Sequence, residues 1–355
     1  MHAVFGINEG LVSCMEFGIF DHLDASGIPV ADLYRERLAL VEQAELLGFT
    51  RYHVAEHHGT PLGLSPSPSV WVASVIQRTT TLRVGPLVYV LPLYSPVRLA
   101  EEIAQLDQLS GGRLEVGVGR GASPYELGFY GIDLAKTFDI YVESLAAITS
   151  ALSAGRMTHD GPQLGHIDVP LVIPPVQRPY PPLWFASSNP QSAAWAGEQG
   201  MNLIGFGTAA GFRPALDEYW QSWESHKTEP SRLNAHVAHP LVGLGRQIVI
   251  APTDDEAIEI FREAHTTHRR NFLKLWHDND NHTRDGMVDL EKSLASGMVL
   301  AGSPSTVRER VRELIADSGI NYLMCTFAFG SLSYDNALRS MTSFATDVIA
   351  GLDLE

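Results

Sequence analysis

From Met15 to Ile349, short apolar runs alternate with stretches of helical period, and that exchange narrows the folds open to the chain. Strand-like runs fall at residues 15–20, 50–55, Leu82–Leu91, Arg113–Val118, Leu183–Ser187, Asn202–Phe206, Leu241–Ala251 and Tyr322–Phe327. Helices are predicted at Asp32–Leu47, Val70–Arg78, Pro96–Leu109, Thr137–Ser153, Gln191–Gln199, Phe212–Lys227, Asp254–Trp276, Thr306–Asp317 and Asn336–Ile349. In the first, Leu33, Leu40, Val41, Ala44 and Leu47 recur at helical spacing, Asp32 reads as the N-cap and Gly48 as the stop. Strict alternation implies a parallel sheet. About eight such units in 355 residues favour an α/β chain closed as a (β/α)8 TIM barrel over an open doubly wound sheet.

Two segments break the rhythm. Residues 156–182 hold seven prolines and read as a hairpin-like insertion plus a loop. Residues 277–289 are polar, without apolar period, and read as a mobile loop. No linker marks a second domain, so 15–355 is expected to be one barrel domain with insertions. Residues 1–14 read as an N-terminal arm or an upstream extension.

A formal net charge of -16 repels phosphate backbones and anionic membranes, which argues against nucleic acid as a partner. No apolar run reaches the length of a membrane span, and the first residues do not form a signal peptide. Two cysteines, Cys14 and Cys325, are too few for a disulfide scaffold and fit a reducing cytoplasm.

In such a barrel, functional residues sit on loops after the C-terminal ends of strands. Four segments there carry unusual chemistry. Ala55-Glu56-His57-His58 follows the second strand and offers a proton carrier near neutral pH, or a pair of structural loop histidines. Metal ligation by His53, Glu56 and His57 is disfavoured. Strand alternation turns His53 away from at least one of the others, and the order is not that of a helical zinc site, so no metal is expected. The turn at Leu87-Val88 lies in an apolar run that by itself reads as buried strand. Gly117-Val118-Gly119-Arg120-Gly121 lets backbone amides approach a ligand and supplies an arginine for a phosphate, although a tight turn alone would also explain the glycines. Ser187-Ser188-Asn189-Pro190-Gln191-Ser192 opens a helix whose N-terminus suits an anion, although ordinary capping explains it too. Asp107 and Arg113 flank Leu109-Ser110-Gly111-Gly112, where a structural ion pair or cap is the default. Trp71, Trp195, Trp220 and Trp223 read as packing.

Taken together, in this order and spacing, these segments resemble the bacterial-luciferase-like flavin-dependent monooxygenases. The resemblance rests on Ala55-Glu56-His57-His58, on residues 91–101, on Leu106 to Arg113, on Gly117 to Gly121, and on Ala301-Gly302-Ser303-Pro304 with Ser340-Met341. It implies a barrel, usually a homodimer, that binds reduced FMN at its C-terminal face. A separate NAD(P)H:flavin reductase supplies the FMN, and O2 oxygenates a small organic substrate through a flavin hydroperoxide. His57 matches the histidine that assists the oxygen chemistry, with Glu56 or His58 orienting it. Arg120 matches the arginine on the FMN phosphate, and Ser188, Asn189 and Ser192 match positions that complete that phosphate site. Leu87-Val88 matches a non-proline cis peptide beneath the flavin ring, and 277–289 an active-site lid. Related barrels transfer hydride with a deazaflavin instead, and a non-catalytic flavin-binding protein would carry a similar cradle. Gly119 stands where the light-emitting enzymes have a reactive cysteine, and Gly205 and Gly207 flank Phe206 where those enzymes are bulkier. Both departures count against light emission.

Overall fold

The computed structural model describes residues 15–352. Cys14 and the proposed arm at 1–14 lie outside the described residues. Two βα units come first: β1 (Glu16–Asp21), α1 (Val30–Leu46), β2 (Arg51–Val54) and α2 (Pro68–Ile76). β3 (Arg83–Pro86) and β4 (Tyr89–Val90) are one stave split at Leu87-Val88, whose peptide bond is cis. Then come α3 (Pro96–Ser110), β5 (Val116–Gly119), α4 (Pro124–Phe129) and α5 (Thr137–Ala154). β6 (Arg156–Gly161) and β7 (Gly165–Pro170) form an antiparallel hairpin, as the proline-rich insertion suggested. The barrel resumes with β8 (Leu183–Ala186), α6 (Pro190–Glu198), β9 (Asn202–Gly205), α7 (Ala209–His226), β10 (Val242–Ile250) and α8 (Asp254–His277). It ends with α9 (Leu290–Ala295), β11 (Val299–Gly302), α10 (Pro304–Ser318), β12 (Tyr322–Thr326) and α11 (Tyr334–Ser343).

The main sheet runs β3-β2-β1-β12-β10-β9-β8-β5-β4, all parallel. Because β3 and β4 belong to one stave, the path returns on itself, and a bridge between Val84 and Leu114 helps seal it. With β3 and β4 counted as one stave and β11 added beside β10, the result is a nearly closed barrel of nine parallel strands, one more than the eight units expected. The extra strand is β11. β10 is long enough to pair β12 through Gln247 and then β11 from Gln247 to Ile250. β11 and α9 are both short, and the polar stretch before them hid their period.

Alternation sorts the side chains. Phe17, Ile19, Val54, Leu244, Leu323 and Cys325 point outward into the layer between sheet and helices. Phe20, Ala55, Leu87, Trp184, Ile204, Leu241, Tyr322 and Met324 fill the barrel itself. Tyr322 fits there only because Gly18 has no side chain: a Cβ would lie 1.9 Å from the Tyr322 hydroxyl. Trp71 and Trp223 are buried, and Trp195 and Trp220 pack against the same outer layer.

One local expectation is corrected, and a second is decided. α1 starts at Val30 behind Pro29, so Asp32 sits in its first turn and caps nothing. The fixed φ of Pro29 starts the helix earlier than a side-chain cap would. Of the ion pair or cap expected at Asp107 and Arg113, the pair does not form and Arg113 caps, donating to the carbonyls of Ser110 and Ile76, the last residues of α3 and α2. Asp107 accepts the Gln177 backbone N–H (2.8 Å) and Nε2 (2.7 Å). Arg113 donates to the carbonyls of Leu82 (2.7 Å), Thr79 (3.1 Å) and Ser110 (2.9 Å). Both tie loops together at the N-terminal end of the barrel.

Candidate active site

At the C-terminal end, each strand hands a short loop to the next in a nearly continuous ring. After β2, Glu56 and His58 are buried and His57 is partly enclosed. The Glu56 carboxylate accepts the Val90 N–H (2.8 Å) and sits 2.8 Å from His58 Nε2. A carboxylate only accepts, so His58 carries its proton on Nε2, and its Nδ1 accepts from the Tyr130 hydroxyl at 2.9 Å. Tyr94 also bonds to Glu56, and burial together with that carboxylate pushes the Tyr94 phenol far above its ordinary range. Glu56 thus fastens the β2 loop to β4 and to His58.

His57 is held from a different side. Its Nδ1 lies 3.3 Å from Glu126 Oε1, and Glu126 Oε2 accepts the His58 backbone N–H at 2.9 Å. Glu126 stands in the first turn of α4, whose N-cap Ser123 accepts the Glu126 N–H. At six residues α4 is too short to show a period, so sequence reasoning missed both the helix and Glu126. The structure assigns to Glu126 the contact with His57 that had been expected of Glu56 or His58. Glu56 and His58 bond each other instead.

β1 contributes a part that the sequence reading passed over. Leu23 is buried with φ +51°, a left-handed conformation that costs a branched residue free energy. Its N–H donates to Asp21 Oδ1 at 2.7 Å, and the turn points its neighbours, His22 and Asp24, across the mouth. The His22 ring stacks on His57 at 5.6 Å between centroids, with 20° between planes. Burial, then the nearby His57 and His268, push the His22 imidazole well below its ordinary value, so it stays neutral. Asp24 is fully buried and accepts from the Gly330 N–H (2.8 Å), from Asn271 Nδ2 and from His268 Nδ1 (2.7 Å). The strained turn was the only local signal, and it is invisible without backbone angles.

Across the ring, β4 and β5 pack at the cis peptide. A Cβ on Gly119 would lie 2.6 Å from Val88 Cγ2, so a cysteine there would displace Val88. This accounts for the glycine at that position. Arg120 follows at once, exposed, and its guanidinium makes no hydrogen bond or ion pair with another described residue. β5 pairs β8 with Val118 opposite Phe185, which brings Arg120 alongside the loop at Ser187-Ser188. Strand spacing is about 4.8 Å. Ser188 Oγ accepts the Phe206 N–H (2.9 Å) and donates to the Phe206 carbonyl (2.7 Å), so that hydroxyl splices β8 to β9. Asn189 caps α6 by accepting the Ser192 N–H at 3.0 Å. The Gln191 N–H has no partner within the helix, and the Asn189 amide nitrogen remains a donor.

His53, the third member of the disfavoured metal set, lies inside the barrel with its ring edge-on to Trp184 at 4.9 Å. It is apart from the Glu56 carboxylate, which is turned to Val90 and His58.

The sequence profile described as luciferase-like monooxygenase matches residues 15–322. The chain belongs to that family. Its members are flavin-dependent monooxygenases and related oxidoreductases, so this chain is an enzyme of that class. Protein y4wF of Sinorhizobium fredii is 37% identical over 96% of this chain and 98% of its own length. The oxygenase component of the flavin-dependent trigonelline monooxygenase of Acinetobacter baylyi is 26% identical over 77% of this chain and 75% of its own. Among solved structures, the oxygenating constituent of 3,6-diketocamphane monooxygenase from Pseudomonas putida, in complex with FMN, superposes with a TM-score of 0.79. It has 21% identity and covers 96% of this chain and 99% of that one. An F420-dependent secondary alcohol dehydrogenase shares the fold at TM-score 0.72 and 18% identity, over 96% of this chain and all of that one. No helix among the described residues is long and apolar enough to cross a membrane.

Proposed function

We propose that this enzyme receives reduced FMN from a separate reductase, holds it at the C-terminal face of the barrel, and oxygenates a small organic substrate with O2. The observation that carries the reading is the unpaired Arg120 beside the N-terminus of α6. An exposed guanidinium, free N–H groups and the positive end of a helix dipole form a donor set for a phosphate. The residues present therefore fit a phosphate-bearing flavin. Arg120 would hold its phosphate with the Gln191 N–H, Asn189 Nδ2 and the Ser192 hydroxyl. Ser188 acts indirectly, by fixing Phe206 and the loop, since both of its hydrogen bonds are already made. Leu87 and Val88 give an apolar seat against which a flat ring can lie.

Bound reduced flavin supplies the electrons that activate O2. The protein positions, shields and manages protons. His57, with one nitrogen turned to Glu126, offers the other to the mouth as proton donor or acceptor. Neutral His22 stacked on it keeps a second positive charge away. Phe20 and the half-exposed Phe206, 6.4 Å apart between ring centroids, make an apolar wall that suits an organic substrate. In this reading segment 277–289, which touches α4 through Asn281 and Tyr125, is the lid that excludes water.

The deciding test is anaerobic titration with reduced FMN, then rapid mixing with oxygenated buffer while absorbance is followed. Tight binding and a long-lived species distinct from oxidised FMN are expected. Binding with immediate reoxidation would remove the oxygenation step and keep the cofactor site. No binding of FMN together with binding of a reduced deazaflavin would replace this reading by hydride transfer.

A further inference from the structure

The end of α8 carries the only group of three His, Cys, Asp or Glu donors in mutual metal-binding reach among the described residues. They are His277, His282 and Asp285, with ligand atoms within 4.8 Å of one another. We propose that this group is a binding site for one borderline divalent transition-metal ion of the Zn2+ class, held by two imidazoles and one carboxylate.

The backbone builds the arrangement. The N–H groups of Asp278, Asp280 and Asn281 donate to the carbonyls of Lys274, His277 and Trp276, and Asp280 adopts φ +52°. This closed cap folds the chain back so that His282 returns over the last turn of α8, with imidazole centroids 4.8 Å apart. His277 Nε2 lies 2.8 Å from Asp285 Oδ1, and His282 Nδ1 lies 3.3 Å from Asp285 Oδ2. Zinc bonds nitrogen and carboxylate oxygen at about 2.0–2.1 Å in a tetrahedron, which sets donors roughly 3.4 Å apart. The observed spacings of 2.8 and 3.3 Å fall at or just short of that value, so small side-chain rotations that spread the donors suffice. All three groups are partly open to solvent, leaving room for water as a fourth ligand. Two imidazoles with one carboxylate suit zinc, copper or nickel better than calcium or magnesium, which prefer all-oxygen sets. The net charge of -16 adds a favourable field for a cation.

The ion would act on the segment that holds it. Trp276 packs edge-on to Tyr125 at 5.3 Å, and Asn281 Nδ2 donates to the Tyr125 hydroxyl at 3.0 Å. The next residue is Glu126, the partner of His57. A bound metal therefore locks 277–285 against α4 and slows opening of the mouth. This coupling rests on the proposed flavin site; the metal site does not.

The metal site is tested on the full-length protein without flavin, and the coupling on the same protein by the FMN dissociation rate with and without ZnCl2. Calorimetric titration with ZnCl2 is expected to show one equivalent bound, weakened at least about 10-fold in His282→Ala and in Asp285→Asn. Both side chains are exposed enough that the fold should survive, and circular dichroism checks this. Trypsin supplies the second readout, because Arg284 lies inside the site. Zn2+ should slow cleavage after Arg284 at least about 10-fold in the wild type and not in the variants. No binding, or equal binding by wild type and both variants, overturns the site. If Zn2+ binds and protects Arg284 but leaves FMN dissociation unchanged, the coupling fails and the site stands. If FMN itself does not bind, the flavin reading fails and the zinc results still decide the site.

Discussion

The two ends of the barrel use charge in opposite ways. At the N-terminal end, Glu115 is buried and surrounded. It accepts from Arg51 Nε at 3.2 Å, from Arg83, and from Trp184 Nε1 at 2.6 Å, and Arg51 also pairs with Glu16. Burial alone would raise the Glu115 carboxyl, but Arg51 and Arg83 reverse that and hold it at about 2. Every charge of this cluster is spent on the protein. At the C-terminal end Arg120 is spent on no other described residue, and His57 keeps one nitrogen for the mouth. Saturated charges stabilise a fold, whereas an unsaturated one waits for a ligand, and this contrast separates the structural clusters from the candidate site.

The strongest way to break the contrast is Glu115→Ala. It would leave the partly buried Arg51 and Arg83 beside each other without their shared carboxylate and should cost about 3 kcal/mol of unfolding free energy in urea denaturation. A loss below about 1 kcal/mol would mean that the cluster is not the barrel's anchor. The pH dependence sharpens the same point. Glu115 has its folded pKa depressed from 4.5 to about 2, so its stabilisation is complete above about 4.5 and is lost as pH falls toward 2. That amounts to about 3 kcal/mol. Burial depresses His53 from 6.5 to about 4, so its neutral form begins to cost stability below about 6.5. Denaturation midpoints should therefore fall in two stages on acidification, and Glu115→Gln should flatten the lower one while, by removing the carboxylate that favours protonated His53, deepening the upper one. A single stage at low pH would contradict the assignment.

At the other end the expected effects are smaller and shift from stability to binding. Arg120→Ala should change stability by less than about 0.5 kcal/mol. It should weaken FMN by about 1.5–3 kcal/mol, roughly 10- to 150-fold, in a fluorescence titration. Unchanged affinity would remove the phosphate assignment. Glu126→Gln should leave FMN affinity within about 2-fold while slowing substrate oxygenation about 10-fold, because it loosens His57. Equal losses in both would make Glu126 a structural residue.

Much of this molecule was legible in order along the chain. The alternation of periods gave the barrel, the prolines at 156–182 marked the hairpin, and the glycines around Arg120 marked a close approach. The missing pieces were short or distant. β11 and α4 are only four and six residues long, below the length at which a period can be recognised. Glu126 meets His57 across 69 residues, and His268 meets Asp24 across 244. Such pairings depend on strand order, not on spacing.

The sequence by itself determined which residue types stand at the ends of strands, because strand period and loop composition are local properties. Only the tertiary structure decided their roles. It joined Glu56 to Val90 and His58, gave His57 to Glu126, and spent the Ser188 hydroxyl on Phe206. It also left Arg120 without a partner among the described residues. Whether a polar group is satisfied depends on what the fold brings within about 3 Å of it, and no linear pattern contains that distance.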